Sequence, residues 1–171
     1  MGKRKPHLSR KKKEKGRPDP SSLILPAVLR SSPFFRGIPK KALGEVSKLF
    51  REETYPEGAV ILKENERARR VFLLARGKVA IFIRTPKGEV IIEMMNRKGE
   101  IFGWSGLVPP RVYTASGKAL SDSRVFTAEG RALERIFQRY PSFGWLFLQR
   151  LSHMIANRLY HTRILLIETL A

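Results

Sequence analysis

Hydrophobic spacing divides the chain into a short helical segment, a long β-rich middle and a helical end. Apolar residues that recur every three to four positions predict a helix after Pro39, namely Leu43, Val46, Leu49 and Phe50. Pro39 suits the first position of that helix. Before it, the short apolar stretch from Leu23 to Leu29 is broken by Pro26.

In the middle of the chain, apolar residues alternate with a period of two. Glycine and proline residues, as in 56–58 and 86–88, mark turns between the runs. Short β-rich runs about ten residues apart predict an antiparallel sandwich or barrel. The predicted strands lie within 60–62, 71–74, 79–83, 90–92, 112–119 and 124–127.

The C-terminal third returns to helical spacing. A short helix is predicted from Ala132 to Phe137, ending before Pro141. A long amphipathic helix then covers about 142–169. One stripe of this helix is close to a coiled-coil seam; it contains Leu148, Ile155, Leu159, Thr162 and Leu166. The seam predicts a homodimer that forms through this helix.

Charge is distributed unevenly along the chain. The formal net charge is +19, of which residues 1–20 carry +7 and have almost no apolar side chains. Residues 1–21 are therefore predicted to be a disordered basic tail, and 22–171 a single domain. Such a charge attracts polyanions, and non-specific nucleic-acid binding through the tail is one hypothesis. A general solubility effect is the other interpretation.

Several classes of protein are disfavoured by composition. Cysteine is absent, which excludes disulfides and fits a cytoplasmic protein. No apolar run approaches the roughly 18 residues that span a bilayer, and the charged N-terminus lacks the character of a secretory signal.

None of the three histidines lies on a predicted strand, so a cupin-like metal site is not expected. We find no nucleophile or phosphate-loop motif and expect no enzyme. The scattered glutamates are interpreted as solvated surface; they are Glu53, Glu57, Glu93 and Glu100.

Four segments in order resemble the cyclic-nucleotide-binding domain, the sensor half of catabolite-activator (Crp–Fnr-type) regulators. They are Phe34-Phe35-Arg36-Gly37-Ile38-Pro39, Tyr55-Pro56-Glu57-Gly58-Ala59-Val60-Ile61, Val71 to Val79, and a cassette-like segment at 99–116. The resemblance covers roughly 27–168. It implies a mainly β fold with flanking helices: a double-stranded β-helix (jelly roll) of about eight strands, with an N-terminal helix and a long C-terminal helix.

In this family a phosphate-binding cassette holds the ligand, and the resemblance places it here in two short segments. The predicted ligand-binding residues are Gly103, Trp104, Ser105, Gly106, Leu107, Arg111, Tyr113, Thr114 and Ala115. Trp104 stands where the family has a glutamate for the ribose, and Tyr113 where it has an arginine for the phosphate. Each missing charge-assisted bond forfeits about 1.5–3 kcal/mol, which argues against cyclic AMP in the usual pose.

Other residues offer compensation for the missing anchors. Residues two apart on a strand share a face, so Arg111 is a candidate to reach the place of Tyr113. Ser105 and Thr114 offer hydroxyls, and Trp104 offers a ring for stacking on a base. The opposite interpretation makes Trp104 and Tyr113 core filler. The family also contacts its ligand from the long helix, and the positions that match are near Arg158, His161 and Thr162, with Thr162 equally suited to the helix seam.

The resulting prediction is a stand-alone sensor domain that has no cofactor of its own. It would bind a small anionic ligand, a cyclic nucleotide or a related molecule, and signal through the C-terminal helix. The alternative is a non-specific nucleic-acid-associated or protein-interaction module in which the pocket is degenerate.

Overall fold

A computed structural model describes the backbone of residues 20–170 and the side chains of 24–164 and 167. Most of the predicted basic tail therefore lies outside the described residues, and its disorder stays a prediction. The helices are α1 (Pro20–Ser31), α2 (Lys40–Leu49), α3 (Gly130–Arg139) and α4 (Pro141–Leu170). The strands are β1 (Arg51–Tyr55), β2 (Val60–Leu62), β3 (Arg70–Arg76), β4 (Val79–Thr85), β5 (Gly88–Met95), β6 (Ile101–Phe102), β7 (Ser116–Ala119) and β8 (Ser123–Glu129).

The eight strands form two four-stranded antiparallel sheets, which confirms the predicted jelly roll with flanking helices. One sheet has the order β1-β8-β3-β6 and the other β2-β7-β4-β5. Single-turn 3-10 helices follow α1, at Pro33–Phe35, and β6, at Trp104–Gly106. We call the second of these the cassette turn. Strand β5 is an edge strand, and most of its length is exposed.

Two hydrophobic cores follow from the alternation of side chains along the strands. The inner core lies between the sheets and includes Phe72, Phe102 and Tyr113. The outer core lies between the first sheet and the helices. It contains a cluster of phenylalanine rings that joins the Pro33–Phe35 turn and α3 to the first half of α4. The outer core thus fixes where α4 leaves the roll.

Three predicted boundaries differ from the structure. The apolar stretch before residue 30 forms a helix that continues through Pro26, because its residues Leu25, Val28 and Leu29 are buried in the outer core. This helix starts within the predicted tail. Helix α3 is longer at both ends than the predicted 132–137, and α2 starts one residue after Pro39.

The predicted strand over 112–119 exists only at its end, in β7. Val112 makes a single bridge to Arg67, and the Tyr113 amide donates to the Glu66 carbonyl at 3.0 Å. The backbone of this part therefore pairs with the 65–66 turn, and the chain bends at residues 114–115 before β7 begins. The bend directs Tyr113 into the inner core.

Candidate functional site

The cassette turn is held close to the roll by glycines. Gly103 has φ +68°, a left-handed conformation that favours glycine, and a Cβ there would lie 2.8 Å from the Phe72 ring. A Cβ on Gly106 would lie 2.9 Å from the Arg70 carbonyl oxygen. Hydrogen bonds from Gly106 N to Gly103 O and from Leu107 N to Trp104 O close the turn. The sequence places a rigid turn where the ligand is predicted to bind.

A cavity of about 30 Å³ lies beside this turn. Six of the predicted cassette residues line it: Gly103, Trp104, Ser105, Tyr113, Thr114 and Ala115. Arg158 of α4 and the core side chains Leu62, Ile81 and Phe102 complete the lining. Sites that enclose a small-molecule ligand measure about 300–1,000 Å³, whereas this volume is enough for about one water molecule. The cassette is therefore closed in this structure.

Tyr113 is a buried side chain at the wall of this cavity. It is 7% exposed, and its hydroxyl donates to the Arg70 carbonyl oxygen at 2.9 Å. Burial raises the pKa of the Tyr113 hydroxyl, so the group stays a neutral hydrogen-bond donor at physiological pH. The position at which the family has a cationic phosphate anchor thus holds a neutral ring in the inner core.

Arg111 does not reach the place of Tyr113, contrary to the compensation expected from the sequence. Its guanidinium donates to the Gly106 carbonyl oxygen at 2.8 Å and forms an ion pair with Glu134 of α3 at 2.5 Å. The physical reason is the backbone: Arg111 has φ +60° and belongs to no strand, so the two-residue alternation does not apply. Its side chain points to α3 and away from the cavity.

Three other predicted residues also lie off the cavity wall. Leu107 is buried in the outer core, and Gly106 packs against Gly130 at the start of α3. Thr162 is exposed on α4, where its hydroxyl donates to the Arg158 carbonyl oxygen at 2.9 Å.

Arg158 is brought to the cassette by α4 and connects three parts of the molecule. Its guanidinium lies 5.9 Å from the centre of the Trp104 ring and forms an ion pair with Glu93 of β5. Its Nε is buried and has no hydrogen-bond partner among the described residues. Burial lowers the pKa of the Arg158 guanidinium, the direction expected when a cation leaves water. Arg158 is therefore a cation at the wall of the site whose hydrogen-bond donors are only partly paired.

Beyond Arg158 lies a groove of about 950 Å³ between β5, the Pro33–Phe35 turn and α4. Arg158 lines both this groove and the cassette cavity. The groove is chemically mixed: it includes the apolar Phe34, Ile92 and Met154 and the polar Glu93, Arg97, Arg150, His153 and His161.

Sequence reasoning missed Glu93, which it treated as solvated surface. Three of those four glutamates make specific contacts: Glu93 pairs with Arg158, Glu53 with Arg70, and Glu100 with Arg97. The Glu93–Arg158 pair joins residues far apart in the chain, and no sequence spacing signals it. Among the side chains that the structure describes, 24–164 and 167, no cluster of histidine and acidic groups suited to a metal ion is found.

Comparison with known proteins agrees with the fold. The family model for the cyclic nucleotide-binding domain matches residues 52–140. The CRP-like cAMP-activated global transcriptional regulator of Mycobacterium tuberculosis is 23% identical over 135 residues, which are 79% of this chain and 58% of the regulator. The chain thus spans about three fifths of the length of that relative.

Two solved structures share the architecture. A protein of Geobacter metallireducens GS-15 described as a cyclic nucleotide-binding protein is 29% identical, with a TM-score of 0.67 over 78% of this chain and 97% of that one. The sensor domain of the transcriptional regulator DNR from Pseudomonas aeruginosa has a TM-score of 0.70 at 24% identity, over 81% and 93% of the two chains.

The jelly roll, the cassette turn and these similarities define the class of the chain: it has the domain architecture found in CRP-like regulators. The chain belongs to the cyclic nucleotide-binding domain family. No helix in the described part of the chain is long and apolar enough to cross a membrane.

Proposed function

We propose that this chain is a cytoplasmic sensor domain that binds a small anionic, nucleotide-like ligand at the cassette and responds by moving α4. The observation that carries the proposal is the position of Arg158, a cation of α4 at the wall of the cassette cavity. A guanidinium pairs well with phosphate oxygens. Arg158 is therefore the residue best placed to supply the positive charge that is missing at Tyr113, where the family has an arginine.

Opening of the cassette would require Arg158 to move. Arg158 lines both a cavity of about 30 Å³ and a groove of about 950 Å³. Rotation of this one side chain away from Glu93 would join the two spaces into a volume that suits a nucleotide. A ligand anion would then replace the Glu93 carboxylate as the partner of Arg158. Since Arg158 belongs to α4 and Glu93 to β5, this exchange would loosen the contact between the helix and the roll.

The ligand proposal predicts opposite effects for the two members of the ion pair. Arg158→Gln is expected to weaken binding of the ligand roughly 10- to 100-fold, because a charge-assisted bond to the anion is lost. Glu93→Gln is expected to strengthen binding, because it removes the competing carboxylate. The measurement is calorimetry of the full chain with cyclic AMP, cyclic GMP and cyclic di-GMP.

Arg163→Gln is the matched control for this pair. Arg163 is an exposed cation on the same helix and lines neither cavity, so its replacement should leave binding unchanged. If the wild-type chain binds none of the three nucleotides, the nucleotide proposal fails. The alternative of a degenerate pocket, which the small cavity favours, would then stand.

We also propose that the chain forms a homodimer through α4. Beyond residue 155, all side chains of α4 described up to Ile164 are exposed except Arg158. The seam residue Leu159 is among them and is 52% exposed. A second copy of the same helix is the partner that a coiled-coil seam fits. The side chain of seam residue Leu166 lies outside the described residues.

Leu159→Glu is expected to convert the dimer to a monomer, because it places a charge in the apolar seam. Tyr160→Glu is the matched control, because Tyr160 is 62% exposed but its side chain leaves the helix about 100° away from the seam. Analytical ultracentrifugation of the full chains gives the oligomeric state. A wild-type monomer, or equal effects of the two substitutions, would contradict dimerisation through this seam.

A further inference from the structure

A second charged site lies on the outside of the cassette, away from the cavity that Arg158 lines. Here three segments meet: residues 67–69 before β3, Arg111 in the cassette loop, and the first residues of α3. A cavity of about 220 Å³ lies between them. Four arginines line it, together with Ala68 and Glu129; they are Arg67, Arg69, Arg111 and Arg131.

Backbone hydrogen bonds hold these segments in a fixed arrangement. The Ala68 amide donates to the Arg111 carbonyl oxygen at 2.7 Å, and the Gly130 amide donates to the Arg69 carbonyl oxygen at 2.9 Å. The single bridge of Arg67 to Val112 adds a third connection. The arginines therefore converge because of the fold and do not merely follow one another along a flexible segment.

The positive charge of this cluster is only partly neutralised. Arg111 is paired with Glu134, whereas Arg67, Arg69 and Arg131 are exposed and form no ion pair with the described acidic side chains. Glu129 is the one carboxylate that lines the cavity. Like-charged guanidinium groups repel one another, and an anion placed among them would relieve the repulsion.

We infer that this arginine cluster is a binding site for a phosphoryl group, separate from the cassette site. Arginine presents a planar set of donors that matches phosphate oxygens in a bidentate geometry. The cavity is smaller than the roughly 300–1,000 Å³ that encloses a complete organic ligand. It therefore suits one anionic group, whether of a small phosphorylated molecule or of a nucleic-acid backbone. The site does not depend on the sensor function proposed above.

The test compares full-length chains that differ only in the position of the lost charges. Inorganic pyrophosphate is the first probe, measured by calorimetry, and a fluorescent DNA duplex is the second, measured by anisotropy. The triple variant Arg67→Gln/Arg69→Gln/Arg131→Gln is expected to weaken pyrophosphate binding at least tenfold. Lys40→Gln/Lys41→Gln/Lys48→Gln removes the same charge from α2, which does not line this cavity, and should change pyrophosphate binding less than twofold.

A third variant makes the test more specific. Glu129→Gln removes the opposing carboxylate and is expected to strengthen pyrophosphate binding severalfold. If duplex binding also falls selectively in the arginine variant, nucleic acid is a source of the phosphate; if only pyrophosphate binding falls, the source is a small molecule. No pyrophosphate binding by the wild type, or equal losses in the arginine and lysine variants, would overturn the inference. Cyclic-nucleotide binding at the cassette should be unaffected in all four chains, so this site and the sensor proposal fail independently.

Discussion

Replacement of Phe147 by alanine is expected to lower the free energy of unfolding by roughly 3–5 kcal/mol, the usual cost of truncating a buried aromatic side chain. Phe147 is fully buried in the outer core. Its ring centre lies 4.8 Å from that of Phe137, 5.3 Å from that of Phe34 and 5.6 Å from that of Phe35. The cavity left by the ring would be bordered by the Pro33–Phe35 turn and by α3, both of which are packed into the outer core.

Denaturation by urea, followed by circular dichroism, measures this loss. Trp145 on the same helix is the control, because it is also a large aromatic residue but is 66% exposed. Trp145→Ala should change the unfolding free energy by no more than about 0.5 kcal/mol. Similar losses for the two variants, at equal chain concentration, would show that the phenylalanine cluster does not anchor α4.

The phenylalanine cluster around Phe147 also has a role in the proposed ligand response. The cluster fixes the first half of α4, whereas few side chains of the second half are buried. A helix anchored at one end and held near its middle by Arg158 can change its position without unfolding the roll. The proposed ligand response uses this division, since it breaks the contact at Arg158 and leaves the anchor intact.

Much of the fold follows from local patterns in the sequence. Period-two alternation between glycine and proline turns predicted most of the strands, and helical spacing predicted α2, α3 and α4. These signals are local, because a turn or an amphipathic face requires only neighbouring residues. The exceptions are also instructive. Pro26 suggested a break, but burial of Val28 and Leu29 outweighs the one hydrogen bond that the proline removes.

The composition of the site was less predictable than the fold. The predicted cassette contains a 3-10 turn at Trp104–Gly106, and six of its nine predicted residues line one cavity, but their binding of a ligand stays a prediction. The direction of Arg111 was not predictable, because it depends on a left-handed backbone and on Glu134, a partner from another element. The role of Glu93 depends in the same way on α4. Contacts between distant segments decide which charges a site contains, and single-sequence patterns do not encode them.

The second large effect on stability is expected for a substitution at the contact between the cassette turn and α3. Gly130 begins α3, and a Cβ added there would overlap the Gly106 carbonyl oxygen and lie 2.7 Å from its carbonyl carbon. Both atoms belong to the backbone of the cassette turn, so no flexible side chain can move aside. Gly106 is itself confined, because a Cβ added to it would lie 2.9 Å from the Arg70 carbonyl oxygen. Gly130→Ala must therefore displace either the cassette turn or α3.

We expect Gly130→Ala to lower the free energy of unfolding by roughly 1–3 kcal/mol, the range for overpacking a rigid core. Gly44→Ala is the matched control, because Gly44 lies inside α2 with no atom within 4 Å of an added Cβ. That control should be stabilised by about 0.5–1 kcal/mol through helix propensity. Hydrogen exchange should also become faster at residues 103–107 in Gly130→Ala and not in Gly44→Ala.

A stable Gly130→Ala chain with unchanged exchange would mean that the cassette turn and α3 move independently. Displacement of the cassette would then have no direct route through α3 to the phenylalanine cluster, and Arg158 would be the remaining link between the ligand site and α4.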